Sequence, residues 1–375
     1  MIPDPAEEKN AVPAGETAPA EELAPAEETA PAEELAPAPE PMWKKTLKFV
    51  LKFGVSAGIL TYIICTRDIK WNDFTLVNPW CIVASFLCIY LQLTLTGIRW
   101  FCLLRAVGIR CSLGEAISLQ MQGMFFSQFL PGGSVGGDVV KAGILASRTP
   151  AGGKFNVVFS IFVDRLCGLG ALLTALLGTC LICRDEIARF PEGQRNGLLL
   201  MCAICGALLC VVICVFFSDL LYKVKFFKFF LDIGDRITKD TFKRAASAME
   251  LYRRSWKLLA GWFVTTTFVF FPILGLPVWL LANGFEGAPG RPYLPCLMIS
   301  NVSQTIAAIP GSFGGTGTRD IAGAEMMTAM GFSDTESGVI PILVTALTLL
   351  VALSCAVFFI FDRGRRRRAA GGAES

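Results

Sequence analysis

The sequence has no histidine among its 375 residues, and only 17% of its residues are charged. Without imidazole, the chain cannot use histidine as a base, a nucleophile or a metal ligand. A soluble protein carries about a quarter charged residues, so the shortage of charge indicates that lipid surrounds much of the chain. The hydrophobic share of 53% agrees with this. We therefore expect a membrane protein that works without histidine chemistry, cofactor or metal.

The start of the chain differs in composition from the rest. Residues 1–41 hold eleven acidic residues and one Lys, a net charge of −10 that leaves +13 for the remainder. Residues 18–35 repeat a six-residue unit, Ala-Pro-Ala-Glu-Glu-Leu/Thr, three times. Frequent Pro opposes a helix and Ala offers little apolar surface, so we expect residues 1–42 to form a disordered, self-repelling cytoplasmic tail.

Most of the fourteen cysteines lie in apolar runs, where Cys behaves as a small hydrophobic side chain. Two Cys-x-x-Cys pairs, Cys180 with Cys183 and Cys202 with Cys205, have the spacing of a zinc ribbon. Zinc ribbons occur in polar, turn-rich sequence, whereas these pairs lie at the facing ends of two predicted membrane helices. We expect them to pack helices, and a metal or disulfide site is the alternative.

Apolar runs of spanning length, separated by short charged breaks, fill residues 43–362. Two further apolar stretches, 112–130 and 293–309, are barely long enough to span, and both end in Pro-Gly. The pattern predicts an all-α polytopic membrane protein with six full spans, at residues 47–66, 79–98, 155–183, 197–217, 257–283 and 338–361.

Lys and Arg residues near the span ends predict the orientation. Residues 222–254 place Phe and Ile on one helical face and Lys and Arg on the other, which indicates an amphipathic helix that binds anionic lipid at the cytoplasmic surface. We expect both termini and all the following basic residues to be cytoplasmic: Lys44, Lys45, Lys48, Arg99, Arg105, Arg110, Lys141, Arg148, Lys154 and those of the tail 363–375.

This orientation has a consequence for the two short stretches. Every basic cluster reaches the cytoplasm only if 112–141 enters from the inside and returns, and 293–337 enters from the outside and returns. Both are predicted to be re-entrant helical hairpins, with pairs of short full spans as the alternative. The halves 79–183 and 257–361 then run in opposite directions, which is the inverted repeat of secondary transporters.

The breaks in the two hairpins are the predicted binding site for a lipid headgroup. Unwound backbone at membrane depth is tolerated only inside protein or beside a wet cavity. Gly permits close approach, Pro ends the incoming helix, and the following helix N-terminus suits a phosphate. A tight turn between helices is the alternative. The breaks contribute Pro131, Gly132, Gly133, Gly136, Gly137, Pro310, Gly311, Gly314 and Gly315.

Charged residues close to the breaks complete the predicted site. Asp164 and Arg165 lie about 15 Å along their helix from its basic edge, where a charge costs about 3 kcal/mol and needs a cavity or a partner. They either neutralise each other or contact an anionic headgroup. The remaining charges follow the breaks and could place a cation near each mouth of one cavity: Asp138, Lys141, Arg319 and Asp320.

Three motifs give the chain a family resemblance: residues 126–142 (Phe-Ser-Gln-Phe-Leu-Pro-Gly-Gly-Ser-Val-Gly-Gly-Asp-Val-Val-Lys-Ala), 163–166 (Val-Asp-Arg-Leu) and 309–315 (Ile-Pro-Gly-Ser-Phe-Gly-Gly). Together they resemble the lysylphosphatidylglycerol synthase transmembrane-region family, the flippase-like part of the multiple peptide resistance factor, over roughly residues 45–362. Full-length synthases carry a soluble aminoacyl-transfer domain after this part. The chain ends at Ser375 without one, so we do not expect synthase activity.

The resemblance implies a multi-pass protein of a bacterial-type inner membrane that moves or handles phospholipid or lipid-linked intermediates. We expect a lipid flippase or transporter whose substrate is that lipid, with no nucleic-acid partner. One alternative is an accessory scaffold of a glycosyltransferase or envelope-lipid synthesis complex, with an envelope-synthesis enzyme as its partner. The other is a membrane enzyme that modifies lipid through Asp138 or Asp164.

Overall fold

A computed structural model gives the fold. It describes residues 71–129, 133–150, 153–216, 248–252, 254–308 and 317–362, together with two isolated residues, Thr61 and Cys65. A short 3-10 helix, Trp71–Leu76, precedes the longer helices. These are α1 Pro79–Ala106, α2 Leu113–Phe129, α3 Gly133–Arg148, α4 Lys154–Ile182, α5 Glu192–Phe216, α6 Trp256–Thr265, α7 Phe271–Asn283, α8 Tyr293–Ala307, α9 Thr318–Ala329 and α10 Asp334–Ser354.

Helix ends follow recognisable local signals in the sequence. At the start of α1, the Asn78 side chain accepts a hydrogen bond from the Trp80 backbone N–H at 2.9 Å, and Pro79 occupies the first helical position. At the start of α10, Ser333 and Glu336 form a capping box, in which each side chain accepts from the other's backbone N–H. Such caps satisfy N–H groups that a helix leaves without an internal partner.

Five helices of the described residues are long and apolar enough to cross a membrane: Pro79–Ala106, Lys154–Ile182, Glu192–Cys214, Trp256–Asn283 and Asp334–Asp362. They correspond to five of the six predicted spans, and the prediction of an all-helical protein with long apolar spans is confirmed to that extent. The sixth predicted span, 47–66, lies outside the described residues. So do the tails 1–42 and 363–375 and most of the predicted amphipathic segment 222–254.

The helix from Trp256 to Asn283 contains a turn of π-helix, Thr266–Phe270, between α6 and α7. Pro277 lies inside α7 and removes one backbone N–H from the helical hydrogen-bond ladder. Turns of π-helix carry one extra residue and occur often at functional sites. Here the turn brings Thr266 toward α1, as described below.

Two pairs of consecutive helices pack against each other, α2 with α3 and α8 with α9. In the first pair, a Cβ on Gly137 would overlap the carbonyl oxygen of Gly123, so the two helices meet at a glycine-to-glycine contact. In the second pair, a Cβ on Gly323 would lie 3.1 Å from the Ser303 hydroxyl oxygen. The Pro-Gly breaks between the paired helices, within 130–132 and 309–316, lie outside the described residues.

Three clusters of buried apolar side chains hold the helices together. The first joins α1, α7, α8 and α10, and the second joins α1 to α2, α3 and α4. The third joins α4, α5 and α8 and contains Cys180, Cys183 and Cys205 as free thiols. Among the residues that the structure describes, no group of three His, Cys, Asp or Glu side chains could hold a metal ion.

Candidate functional site

Five charged residues from three helices lie together and are called the five-charge cluster here: Arg99 of α1, Asp138 and Lys141 of α3, and Asp164 and Arg165 of α4. At its buried end, Arg99 Nε donates to Asp164 Oδ1 at 2.8 Å, and the two side chains are 6% and 4% exposed. Arg99 also donates to the Thr266 hydroxyl at 3.1 Å, in the π-helical turn. The Arg99–Asp164 pair therefore links α1 and α4 to the long helix Trp256–Asn283, which contains the π-helical turn.

At the other end of the cluster, Asp138 binds two cations. Its Oδ1 lies 3.1 Å from Lys141 Nζ, one turn further along α3, and its Oδ2 accepts from Arg165 Nε at 2.6 Å. Lys141 is buried, donates to Gln120 Oε1 of α2 at 3.0 Å and lies 4.8 Å from the centre of the Trp100 ring. Asp138 thus connects the α2–α3 pair to α4.

The sequence left open whether Asp164 and Arg165 neutralise each other. In the structure each pairs with a residue of another helix, because adjacent helical residues point about 100° apart. Asp164 turns inward to Arg99, whereas Arg165 turns toward Asp138 and keeps 53% of its side chain exposed. Arg165 is therefore the most exposed member of the cluster.

The five-charge cluster has three cations and two carboxylates, which leaves a formal charge of +1. Charges within a membrane domain occur mostly at sites that bind ions or substrates, and an anion at the cluster would bring this sum to zero. Arginine suits this role because its planar guanidinium binds phosphate and carboxylate groups through paired N–H donors. The arrangement can hold an anionic group beside Arg165.

The predicted charges of the second half form a different arrangement. Asp320 of α9 is buried, accepts the Thr345 hydroxyl of α10 at 2.7 Å and accepts the Gly317 backbone N–H at 3.1 Å. Arg319 lies 3.4 Å from the same carboxylate and donates to Thr345 at 2.5 Å. One cation and one carboxylate leave this Arg319–Asp320–Thr345 group neutral, and Asp320 caps the start of α9.

The predicted glycines and prolines divide into two sets. Gly133 is the first residue of α3, Gly136 is half-buried one turn later, and Gly137 is buried at the contact with Gly123. The others lie outside the described residues: Pro131, Gly132, Pro310, Gly311, Gly314 and Gly315.

The structure corrects one part of the prediction for Arg99. The sequence placed it just after a span that ends at residue 98, but α1 continues to Ala106 and Arg99 is only 5% exposed. The signal in the sequence was the apolar run Phe101-Cys-Leu-Leu104 after it, which separates Arg99 from Arg105 by more than one helical turn. Nothing in the sequence marked Gln120 and Thr266 as the hydrogen-bond partners of Lys141 and Arg99, because single amides and hydroxyls are common in membrane helices.

Long apolar helices around a buried group of ion pairs define the chain as a multi-pass helical membrane protein. The family model of the lysylphosphatidylglycerol synthase TM region matches residues 49–355, and the chain therefore belongs to this family. The match covers both charged groups and the TM region only, and no catalytic domain is identified. Comparison with curated proteins gave no match, and comparison with solved structures gave none either.

Proposed function

We propose that the protein translocates phospholipid, or a lipid-linked intermediate, by binding its anionic headgroup at the five-charge cluster. The observation that carries the proposal is the gathering of five charged side chains from three helices inside a membrane domain, with Arg165 as the most exposed of them. Membership of a family related to lipid handling supports the same choice. Neither a free carboxylate pair nor a metal is needed for such a role.

The ion pairs suggest how binding is coupled to movement. Asp138 and a headgroup phosphate compete for the Arg165 guanidinium, since both are anions that bind through the same N–H donors. A phosphate at Arg165 would weaken the link from Asp138 to α4 and leave Asp138 with Lys141 on its own helix. The α2–α3 pair would then move relative to α4.

We further propose that α2 with α3, and α8 with α9, are the two re-entrant hairpins of an inverted repeat. The helices have 17, 16, 15 and 12 residues, so the longest extends about 26 Å, which is less than the roughly 30 Å of a bilayer core. The Pro-Gly sequences between them supply the breaks. Both termini would be cytoplasmic, in a bacterial-type inner membrane.

Reconstituted vesicles test the proposal. The full chain is placed in vesicles with a fluorescent anionic phospholipid, and dithionite then measures the label that becomes accessible. Arg165→Gln should reduce translocation at least tenfold while the unfolding temperature stays close to that of the original chain. Arg184→Gln is the matched control, because Arg184 is 77% exposed and lies outside the cluster.

Three results would contradict the proposal in different ways. Unchanged translocation by Arg165→Gln would exclude the cluster as the binding site. Conversion of the labelled lipid to a new species by the purified chain would favour a lipid-modifying enzyme. Absence of translocation, together with a stably co-purifying envelope-synthesis enzyme, would favour a scaffold.

A further inference from the structure

An open polar cavity lies at the turn between the end of α1 and the start of α2, and none of its lining residues belongs to the five-charge cluster. It has a volume of about 680 Å³ and is lined by Arg105, Arg110, Ser112 and Glu115, among others. Arg105 is six residues beyond Arg99 in α1, which places it about 9 Å further along the helix axis. The cavity therefore lies at the C-terminal end of α1, beyond the buried Arg99–Asp164 pair.

The turn that forms the cavity has a defined geometry. The Gly108 N–H donates to Arg105 O at 3.1 Å, and the Ile109 N–H donates to Leu104 O at 3.0 Å, which is a Schellman motif. Gly108 has a φ of 77°, in the left-handed region that favours glycine. These bonds satisfy carbonyls at the end of α1, and they fix the backbone positions of Arg105 and Arg110 on either side of the turn.

The charges around the cavity do not balance. Glu115 is its acidic lining residue, and this carboxylate is bound at 2.5 Å by Arg148 of α3, which also binds Asp362. Within the described part of the chain, neither Arg105 nor Arg110 forms an ion pair with a carboxylate. Burial, and then the nearby Glu115, raise the pKa of the Cys111 thiol to about 12, so this wall residue is neutral at physiological pH.

The lining also favours one kind of ligand. Arg105 lies against the Phe101 ring, with 5.2 Å between its guanidinium carbon and the ring centre. Two arginines that form no ion pair with a described carboxylate suit a phosphate, since guanidinium groups bind its oxygens through paired N–H donors. Basic pockets at the cytoplasmic ends of membrane helices commonly hold phosphorylated lipid headgroups.

We propose that Arg105 and Arg110 bind a phosphate group in this cavity, as a site additional to the five-charge cluster. The phosphate belongs to the headgroup of an anionic phospholipid or to a soluble phosphate, and both share the same recognition by arginine. Occupancy of this site does not require lipid to cross the membrane. The site can therefore be measured whether or not translocation occurs, and its failure is distinguishable from failure of the proposed function.

The first arm of the test measures a lipid. The full chain is relipidated with phosphatidylcholine containing a small share of phosphatidylglycerol, and native mass spectrometry counts the phosphatidylglycerol retained. The double variant Arg105→Gln/Arg110→Gln should retain at least tenfold less at one site. The control Arg254→Gln/Lys257→Gln, which removes two exposed cations elsewhere, should retain the same amount as the original chain.

The second arm measures soluble phosphate by titration calorimetry in nanodiscs of phosphatidylcholine alone. Lipid loss specific to the Arg105→Gln/Arg110→Gln variant identifies the ligand as a lipid headgroup. Loss of inorganic phosphate binding without loss of lipid identifies it as a soluble phosphate. Equal losses in the double variant and its control, or no loss in either arm, would overturn the proposal. Equal unfolding temperatures of the three proteins show that the differences come from binding.

Discussion

The two halves of the membrane domain hold their buried charges in different ways. In the first half, five charges from α1, α3 and α4 leave a formal charge of +1, and Arg165 is 53% exposed. In the second half, Arg319 and Asp320 balance each other, and their side chains are 14% and 1% exposed. The two halves have similar Pro-Gly motifs, but the charged side chains that follow these motifs are arranged differently.

We propose that this difference corresponds to a binding role in the first half and a structural role in the second. Asp320 uses its carboxylate for Thr345 and for the backbone N–H at the start of α9, so it has little capacity left for a ligand. The five-charge cluster of the first half instead contains three cations and two carboxylates. We accordingly place headgroup binding in the first half and helix anchoring in the second, and the following experiments test that division.

The largest effect is expected when a buried pair in the first half loses one partner. Asp164→Asn leaves Arg99 as an uncompensated buried cation, which should lower the free energy of unfolding by about 3–5 kcal/mol. Thermal unfolding in mild detergent measures the loss. Asp185→Asn is the control, because that side chain is 84% exposed, and it should change little. Similar stability of the two variants would show that the Arg99–Asp164 pair is unimportant for folding.

A smaller effect is expected at the glycine contacts of the two helix pairs. Gly137→Ala forces a methyl group against the Gly123 carbonyl, which should cost about 1–3 kcal/mol, and it should also impair translocation by separating α2 from α3. The methyl group of Gly323→Ala would lie 3.1 Å from the Ser303 hydroxyl oxygen and at ordinary contact distance from the Pro341 ring, so this change should cost less. A methyl group on residue 143 would have no neighbour within 4 Å, so Gly143→Ala should leave stability unchanged or raise it slightly, because Ala favours a helix more than Gly does. Unfolding temperatures in the reverse order would contradict this ranking of the two contacts.

The hydroxyl of Thr345 tests the structural role of the second half. Thr345→Val keeps the shape of the side chain but removes the hydrogen bonds to Arg319 and Asp320, so stability should fall by about 1–3 kcal/mol. Translocation in vesicles, measured below the unfolding temperature, should remain within about twofold of normal. A loss of translocation as large as that of Arg165→Gln would place the second group in the binding site and end the proposed division.

The smallest effect is expected for a pair near the surface. Arg148→Gln removes ion pairs to Glu115 and Asp362, whose side chains are 27% and 19% exposed. Pairs of this kind contribute about 0.2–1 kcal/mol each, and high salt should mask much of the difference. Unfolding at low and high salt checks this. A loss as large as that of Asp164→Asn would show that burial does not explain the difference between the two regions.

Sequence patterns predicted the helical class because the length of each apolar run can be read directly from the order of the residues. They also placed Asp138, Lys141, Asp164 and Arg165 together as candidates, since charges in apolar runs need partners. They did not identify those partners, because ion pairs between α1, α3 and α4 depend on helix packing. Arg99 was misplaced for a related reason: a single cation near a span end resembles an orientation signal until the helix is seen to continue beyond it.

The π-helical turn Thr266–Phe270 has a consequence for how one long helix meets two environments. Its extra residue rotates the helix that follows by about 100° relative to a continuous α-helix. The helix before the turn, α6, has no buried residue, whereas α7 buries Gly275, Pro277, Val278, Leu281 and Ala282. A single inserted residue thus shifts which side chains face inward along one long helix, from a first part without fully buried residues to a second part with five of them.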